Sequence, residues 1–142
     1  MQSRTISPRF VLLHTLSHVL IDKFIYESGY HEASLRERIY CSTNPNGSMT
    51  GLLIYTADGD SEGTMGGLVR MGENGIIETV FENAIKTSRW CAVDPVCTEI
   101  GKRDGQGLEK INLAACHNCC LLDETSCEEF NRLLDRGVLI DK

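Results

Sequence analysis

The chain has no uninterrupted apolar run of the eighteen or so residues that a bilayer-crossing helix needs, so no such helix is expected. Its first residues, Met1 to Pro8, lack the apolar core of a secretory signal. A cytoplasmic location is therefore expected, where thiols stay reduced and clustered cysteines more often hold metal than form disulfides. There is no GxxxxGK[ST] stretch, hence no phosphate-cradling loop with its lysine. Positive charge is scarce: 14 Lys and Arg face 20 Asp and Glu, for a net charge of −6. A domain that grips nucleic acid unaided shows a basic face; here only Arg36, Arg38 and Arg4 are candidates for one. No internal repeat, low-complexity tract or linker divides the sequence, so residues 1–142 are expected to form a single domain.

What is present belongs to a globular α/β protein. The 142 residues are 42% hydrophobic and 24% charged, enough to bury a sizeable core. Ser7-Pro8 has the form of a helix start, with Ser7 as N-cap and Pro8 where its missing N–H costs nothing. The wide apolar surface that follows, from Phe10 to Ile25, predicts a central core helix ending near Ser28-Gly29. Glu32 to Arg38 reads as a short helix, with Ser34 and Glu37 spaced as a capping box. Thr43 to Ser48 has turn composition. Gly51 to Thr56 is short and continuously apolar, as in a strand buried on both faces. Glu73 to Trp90 predicts a long amphipathic helix with Ile76, Ile77, Val80, Phe81, Ala84 and Ile85 inward. Cys91 to Cys97 reads as a constrained loop and Lys102 to Gln106 as a polar turn. Leu113 to Leu121 and Glu124 to Leu134 read as short helices, and Val138 to Ile140 as a last strand. The expected architecture is a small central sheet flanked by helices, with a cysteine-rich C-terminal helical segment.

Cysteine carries the chemistry. Four of the seven, Cys116, Cys119, Cys120 and Cys127, lie between Ala115 and Cys127, with Cys91 and Cys97 just upstream. An odd number fits a fully paired disulfide framework poorly. Zinc takes four thiolates or imidazoles at tetrahedral corners, and a two-residue gap lets one turn offer both Cys116 and Cys119. The expected ligands of a structural zinc are Cys97, Cys116, Cys119 and Cys127, with Cys91 as substitute for Cys97. Cys120 must point away from its neighbour Cys119, Cys41 reads as a core thiol, and His117 faces solvent or supports the ligands.

The run Leu113-Ala114-Ala115-Cys116-His117-Asn118-Cys119, followed by Glu124-Thr125-Ser126-Cys127-Glu128, resembles the zinc-binding (MZB) domain at the C-terminus of MrfA-type helicases. Within that family it resembles the DrmB branch of the DISARM anti-phage system. Leu13 to His18, Ser34 to Tyr40, Gly51 to Thr56, Gly66 to Val69 and Cys91 to Cys97 fit as well. The helicase branch carries its four ligand cysteines in one short run, whereas here Asn112 stands four residues before Cys116. One thiolate must then come from the upstream loop. The resemblance implies a non-catalytic zinc module in a helicase-associated or defence assembly. Its partner would be a helicase or another defence-system protein, with nucleic acid reached through that partner. Likeness to a C-terminal domain also implies a shortened relative or a fragment of a longer protein.

Other groupings are weaker. His14 and His18 share a helical face at a spacing that can bind metal. Thr15 stands where a metalloprotease helix needs glutamate, and core hydrogen bonding is the plainer role. Asp58 to Gly63 begins like a calcium loop, but Val69 occupies the position of the bidentate glutamate. As a carboxylate-bearing loop at a strand end it can still be a contact surface. The alternative functions are a thiol- or zinc-dependent enzyme, in which His14, His18 or His117 activates a cysteine, and a DNA-contacting module using Arg36 and Arg38.

Overall fold

The computed structural model describes residues 6–44, 47–57 and 67–140. Helix α1 (Pro8–Ser28) begins as its sequence dictates: the Ser7 hydroxyl accepts the Phe10 N–H at 3.2 Å, and Pro8 opens the first turn. Gly29, at φ +71°, ends the helix and donates its N–H to the Ile25 carbonyl at 2.9 Å. That left-handed conformation is one that glycine enters without penalty. The helix buries Phe10, Val19, Leu20, Ile21 and Phe24, together with the polar His14, Thr15, Ser17 and His18. Each large apolar side chain fully buried contributes about 1.5–3 kcal/mol, so this helix organises the core. Leu35, Val80, Ala84, Ala115, Cys120 and Leu134 pack on it or on one another in the same cluster.

The short helix expected over Glu32 to Arg38 does not form. After a single 3-10 turn (Glu32–Ser34) the chain runs straight into β1 (Leu35–Asn44). The reason is a period of two: Leu35, Glu37 and Ile39 are buried while Arg36, Arg38 and Tyr40 are exposed. Ser34 closes the open end of the hairpin, its carbonyl accepting the Ala57 N–H at 2.8 Å. Glu37 does not cap a helix but is turned into the interior.

Strand β2 (Gly47–Thr56) pairs antiparallel with β1 in one register, from Leu35 opposite Thr56 to Asn44 opposite Gly47. The small sheet is this two-stranded hairpin. Expected to be buried on both faces, β2 instead leaves Leu53 47% and Tyr55 40% exposed. Only Leu52 and Ile54 pack against the core. The expected turn at Thr43 to Ser48 is narrower, because Thr43, Asn44, Gly47 and Ser48 extend the strands. The acidic loop from Asp58 to Gly63 lies outside the described residues.

Helix α2 (Gly67–Met71) leads to α3 (Ile76–Ser88), shorter than its amphipathic pattern suggests. Gly75, at φ +84°, sets its start, and its N–H is held by the Glu78 carboxylate at 2.6 Å. Val80 and Ala84 are buried, whereas Phe81 is largely exposed. Helix α4 (Val96–Arg103) forms where a constrained loop and a polar turn were expected.

Residues 113–140 contain turns rather than the two helices and strand expected. Two asparagines explain why. Asn112 donates to the Asn131 carbonyl at 2.7 Å and accepts the Leu134 N–H at 3.0 Å. Asn131 in turn brackets Leu122 through both its N–H and its carbonyl. These side chains satisfy the backbone groups that a helix would have used. The chain also turns at Phe130, Asn131 and Leu133, all at positive φ. A 3-10 turn (Arg136–Val138) replaces the last strand.

Candidate metal centre

Cys91 follows the end of α3, Cys97 lies in the first turn of α4, and Cys116 and Cys119 share one tight turn. The sulfurs of Cys91 and Cys116 are 3.6 Å apart, those of Cys116 and Cys119 3.7 Å, and those of Cys97 and Cys119 3.9 Å. All four lie within 4.8 Å of one another. A disulfide would bring two of them to about 2.05 Å. A zinc–sulfur bond of about 2.3 Å implies tetrahedral edges of about 3.8 Å, which is the spacing observed. The donor set and its geometry therefore fit a four-coordinate zinc with no open position.

Local chemistry fixes each thiol. The Asp94 carboxylate accepts the Cys91 N–H at 3.1 Å, and the Val93 N–H points at the Cys91 sulfur at 3.5 Å. The Cys97 N–H reaches the Val93 carbonyl at 3.1 Å. The Gln106 amide bonds the Cys97 carbonyl at 2.8 Å and lies 3.5 Å from its sulfur. In the CxxC turn, the Cys119 N–H meets the Cys116 carbonyl at 3.0 Å and the Cys116 N–H meets the Cys119 sulfur at 3.3 Å. Such N–H donors favour the thiolate form.

Burial pushes the Cys97 and Cys116 thiols up, and Cys119 is raised by its Cys120 neighbour and then by burial. For Cys91 burial works in the same direction, but the Val93 N–H and the surrounding thiols outweigh it and lower the value. Four sulfurs this close cannot all ionise beside one another unless a cation shares their charge. A divalent ion supplies that charge.

Behind the cysteines stands Arg136, whose side chain is fully buried. It donates to the Ser88 carbonyl at 2.9 Å, to Thr98 Oγ1 at 3.1 Å and to the Asp94 carboxylate. Asp94 also accepts the Thr98 hydroxyl at 2.7 Å. The end of α3, the Cys91 loop, the start of α4 and the C-terminal turn are thereby joined behind the metal ligands.

Of the expected ligands, Cys97, Cys116 and Cys119 come together. Cys91 stands beside Cys97 rather than in its place. Cys127 does not join them. It follows a 3-10 turn (Glu124–Ser126) in extended conformation and runs toward α1, where its sulfur lies 3.2 Å from His14 Nε2. Cys120 is not one of the four clustered donors; it is buried beside Cys119, and its carbonyl accepts from His18. Cys41 is half-buried with its sulfur 3.9 Å from the Ser7 hydroxyl, and His117 is exposed.

The MrfA Zn-binding domain family, MZB, matches residues 16–120. The chain belongs to the MZB family. The matched span contains all four clustered cysteines and excludes Cys127. The chain is also 39% identical over 131 residues to the DISARM protein DrmB of Bacillus paralicheniformis, an alignment covering 92% of this chain and 22% of that protein. It therefore spans about a fifth of the length of that curated relative. This MZB chain is a zinc-binding domain related to DrmB, with a tetracysteine cluster suited to a structural zinc.

The Asp94–Arg136 clamp was missed in the sequence. Its one signal was an arginine close to the apolar run Val138-Leu139-Ile140 and next to Gly137. Also missed was Glu37, a carboxylate at an inward position of β1. Burial works against its ionisation, but the His14 and His18 imidazoles facing it outweigh this and hold it far below the usual carboxylate range.

Proposed function

We propose that this MZB domain is a non-catalytic zinc-stabilised interaction module of an anti-phage defence assembly, working beside a helicase or another protein of that system. The observation that carries the reading is the closed tetracysteine cluster. Four thiols fill every corner of a tetrahedral zinc, leaving no place for the water of a catalytic site. Kinship with DrmB supports the defence setting. Metal joins the CxxC turn to the Cys91 loop and α4, and so fixes the surface around Trp90, which is 71% exposed beside Cys91. An exposed aromatic of this kind is a common anchor for a protein partner.

Co-purification tests the proposal. A tagged chain expressed with the helicase of its own defence system is expected to retain it, and to release it on zinc chelation or on Trp90→Ala. A zinc-loaded chain that captures no such partner argues against the module. Turnover lost on thiol alkylation with zinc retained favours the enzyme reading, and DNA binding lost on changing Arg36 and Arg38 favours the nucleic-acid reading.

A further inference from the structure

The interior holds a second set of metal-ligand side chains, separate from the four cysteines. His14 and His18 lie one turn apart on α1, Glu37 points inward from β1, and Cys127 arrives from the C-terminal segment. All four are buried, and one donor atom from each lies within 4.8 Å of the other three. His14 Nε2 is 3.2 Å from the Cys127 sulfur and 3.0 Å from Glu37 Oε1, and His18 Nε2 is 3.5 Å from the same oxygen. Zinc bonds of about 2.0–2.1 Å to nitrogen or oxygen and 2.3 Å to sulfur imply tetrahedral edges of about 3.3–3.6 Å. Of the observed separations, 3.5 Å lies inside that range and 3.0 and 3.2 Å lie just below it.

The surroundings orient these groups as ligands. The Cys120 carbonyl can only accept, so its 2.7 Å contact with His18 Nδ1 places a proton there. In the neutral ring Nε2 then carries the lone pair, and this buried atom has no hydrogen-bond partner among the described residues. Metal-bound histidines are commonly fixed in this way, through the ring nitrogen that does not ligate. The Ser17 hydroxyl donates to the other oxygen of Glu37, and the Glu128 N–H lies 3.3 Å from Oε1. The Cys127 sulfur accepts N–H groups from Asn131 at 3.2 Å and Glu129 at 3.4 Å. A divalent ion would balance the Glu37 carboxylate and the thiolate that Cys127 becomes when it gives up its proton to bind.

We propose that His14, His18, Glu37 and Cys127 form a second metal site for a divalent ion of the zinc class, set in the core of the domain. The mixed nitrogen, oxygen and sulfur donors suit zinc or cobalt better than magnesium or calcium, which favour all-oxygen sites. The ion would bind α1 and β1 to the C-terminal segment. It would communicate with the tetracysteine centre through the backbone from Cys119 to Cys120. This inference stands apart from the proposed partner and function.

The test is metal stoichiometry of the purified chain by elemental analysis and native mass spectrometry, with cobalt(II) absorption as the spectroscopic probe. The folded wild-type chain is expected to hold about two ions under zinc saturation. Cys127→Ser, and separately His14→Gln with His18→Gln, should each lose one ion while keeping the cobalt spectrum of a four-thiolate site. Cys116→Ser should lose that spectrum and keep a weaker one-thiolate signature. A folded wild-type chain that saturates at one ion overturns the proposal. So does an unchanged count in a folded His14→Gln, His18→Gln chain. If the variants do not fold, the wild-type count and its cobalt titration, in two spectrally distinct steps or in one, decide the matter.

Discussion

Replacing Asp94 with alanine should damage both the fold and the metal centre. Asp94 is only 21% exposed and faces the fully buried Arg136 guanidinium. Arg136 stays cationic: burial lowers its affinity for the proton, but the Asp94 carboxylate more than compensates and raises it. Removing the carboxylate strands a buried positive charge and also frees the Cys91 N–H and the Thr98 hydroxyl. Breaking a buried pair from one side costs about 3–5 kcal/mol, and the residual exposure of Asp94 argues for the lower end, about 3 kcal/mol. At a urea dependence of about 2 kcal/mol per molar, the unfolding midpoint should fall by about 1.5 M. Zinc affinity should drop about 10–100-fold, because the Cys91 loop loses its support. Urea unfolding at fixed free zinc measures the first effect and chelator competition the second. Adding Arg136→Met should restore much of the stability, since the stranded charge is then gone. A loss below about 1 kcal/mol, or no rescue by the second change, would refute the clamp as described.

Zinc affinity should fall steeply as pH is lowered, by about tenfold per pH unit for each thiol that must give up its proton. The Cys97, Cys116 and Cys119 thiols are all raised, so protons compete for them around neutrality. The metal-derived stability is thus present at higher pH and lost on acidification, and a flat competition profile between about pH 6 and 8 would contradict this. Gly105→Ala should destabilise by about 1–3 kcal/mol in thermal unfolding, because Gly105 sits at φ +71° and a Cβ there runs into the Lys110 carbonyl. Ile21→Ala, at a fully buried position of α1, should cost about 2–5 kcal/mol. Ser7→Ala should cost about 1 kcal/mol through loss of the Phe10 cap.

Helix α1 was legible from end to end because its signals are local: a serine cap, a proline in the first turn, a wide apolar surface and a closing glycine. The CxxC pair was legible for the same reason. The clustering of both Cys91 and Cys97 was not, because spacing left those two as alternatives to each other, and only the path of residues 120–127 carries Cys127 toward α1. Ser34 and Glu37 matched a capping box locally, yet the hairpin imposed a period of two and drew Glu37 inward to the histidines. The helices expected after Leu113 failed for a different reason. Asn112 and Asn131 take over backbone hydrogen bonds there through side-chain contacts, and no hydrophobic periodicity reports such contacts.

Zinc-edge X-ray absorption on a folded Cys127→Ser chain loaded with one equivalent of zinc tests the tetracysteine centre most directly. A shell of four sulfurs at about 2.3 Å is expected, with no nitrogen or oxygen ligand. A shell with a sulfur missing, or with a light atom at about 2.0–2.1 Å in its place, would show that Cys91, Cys97, Cys116 and Cys119 do not together hold the metal.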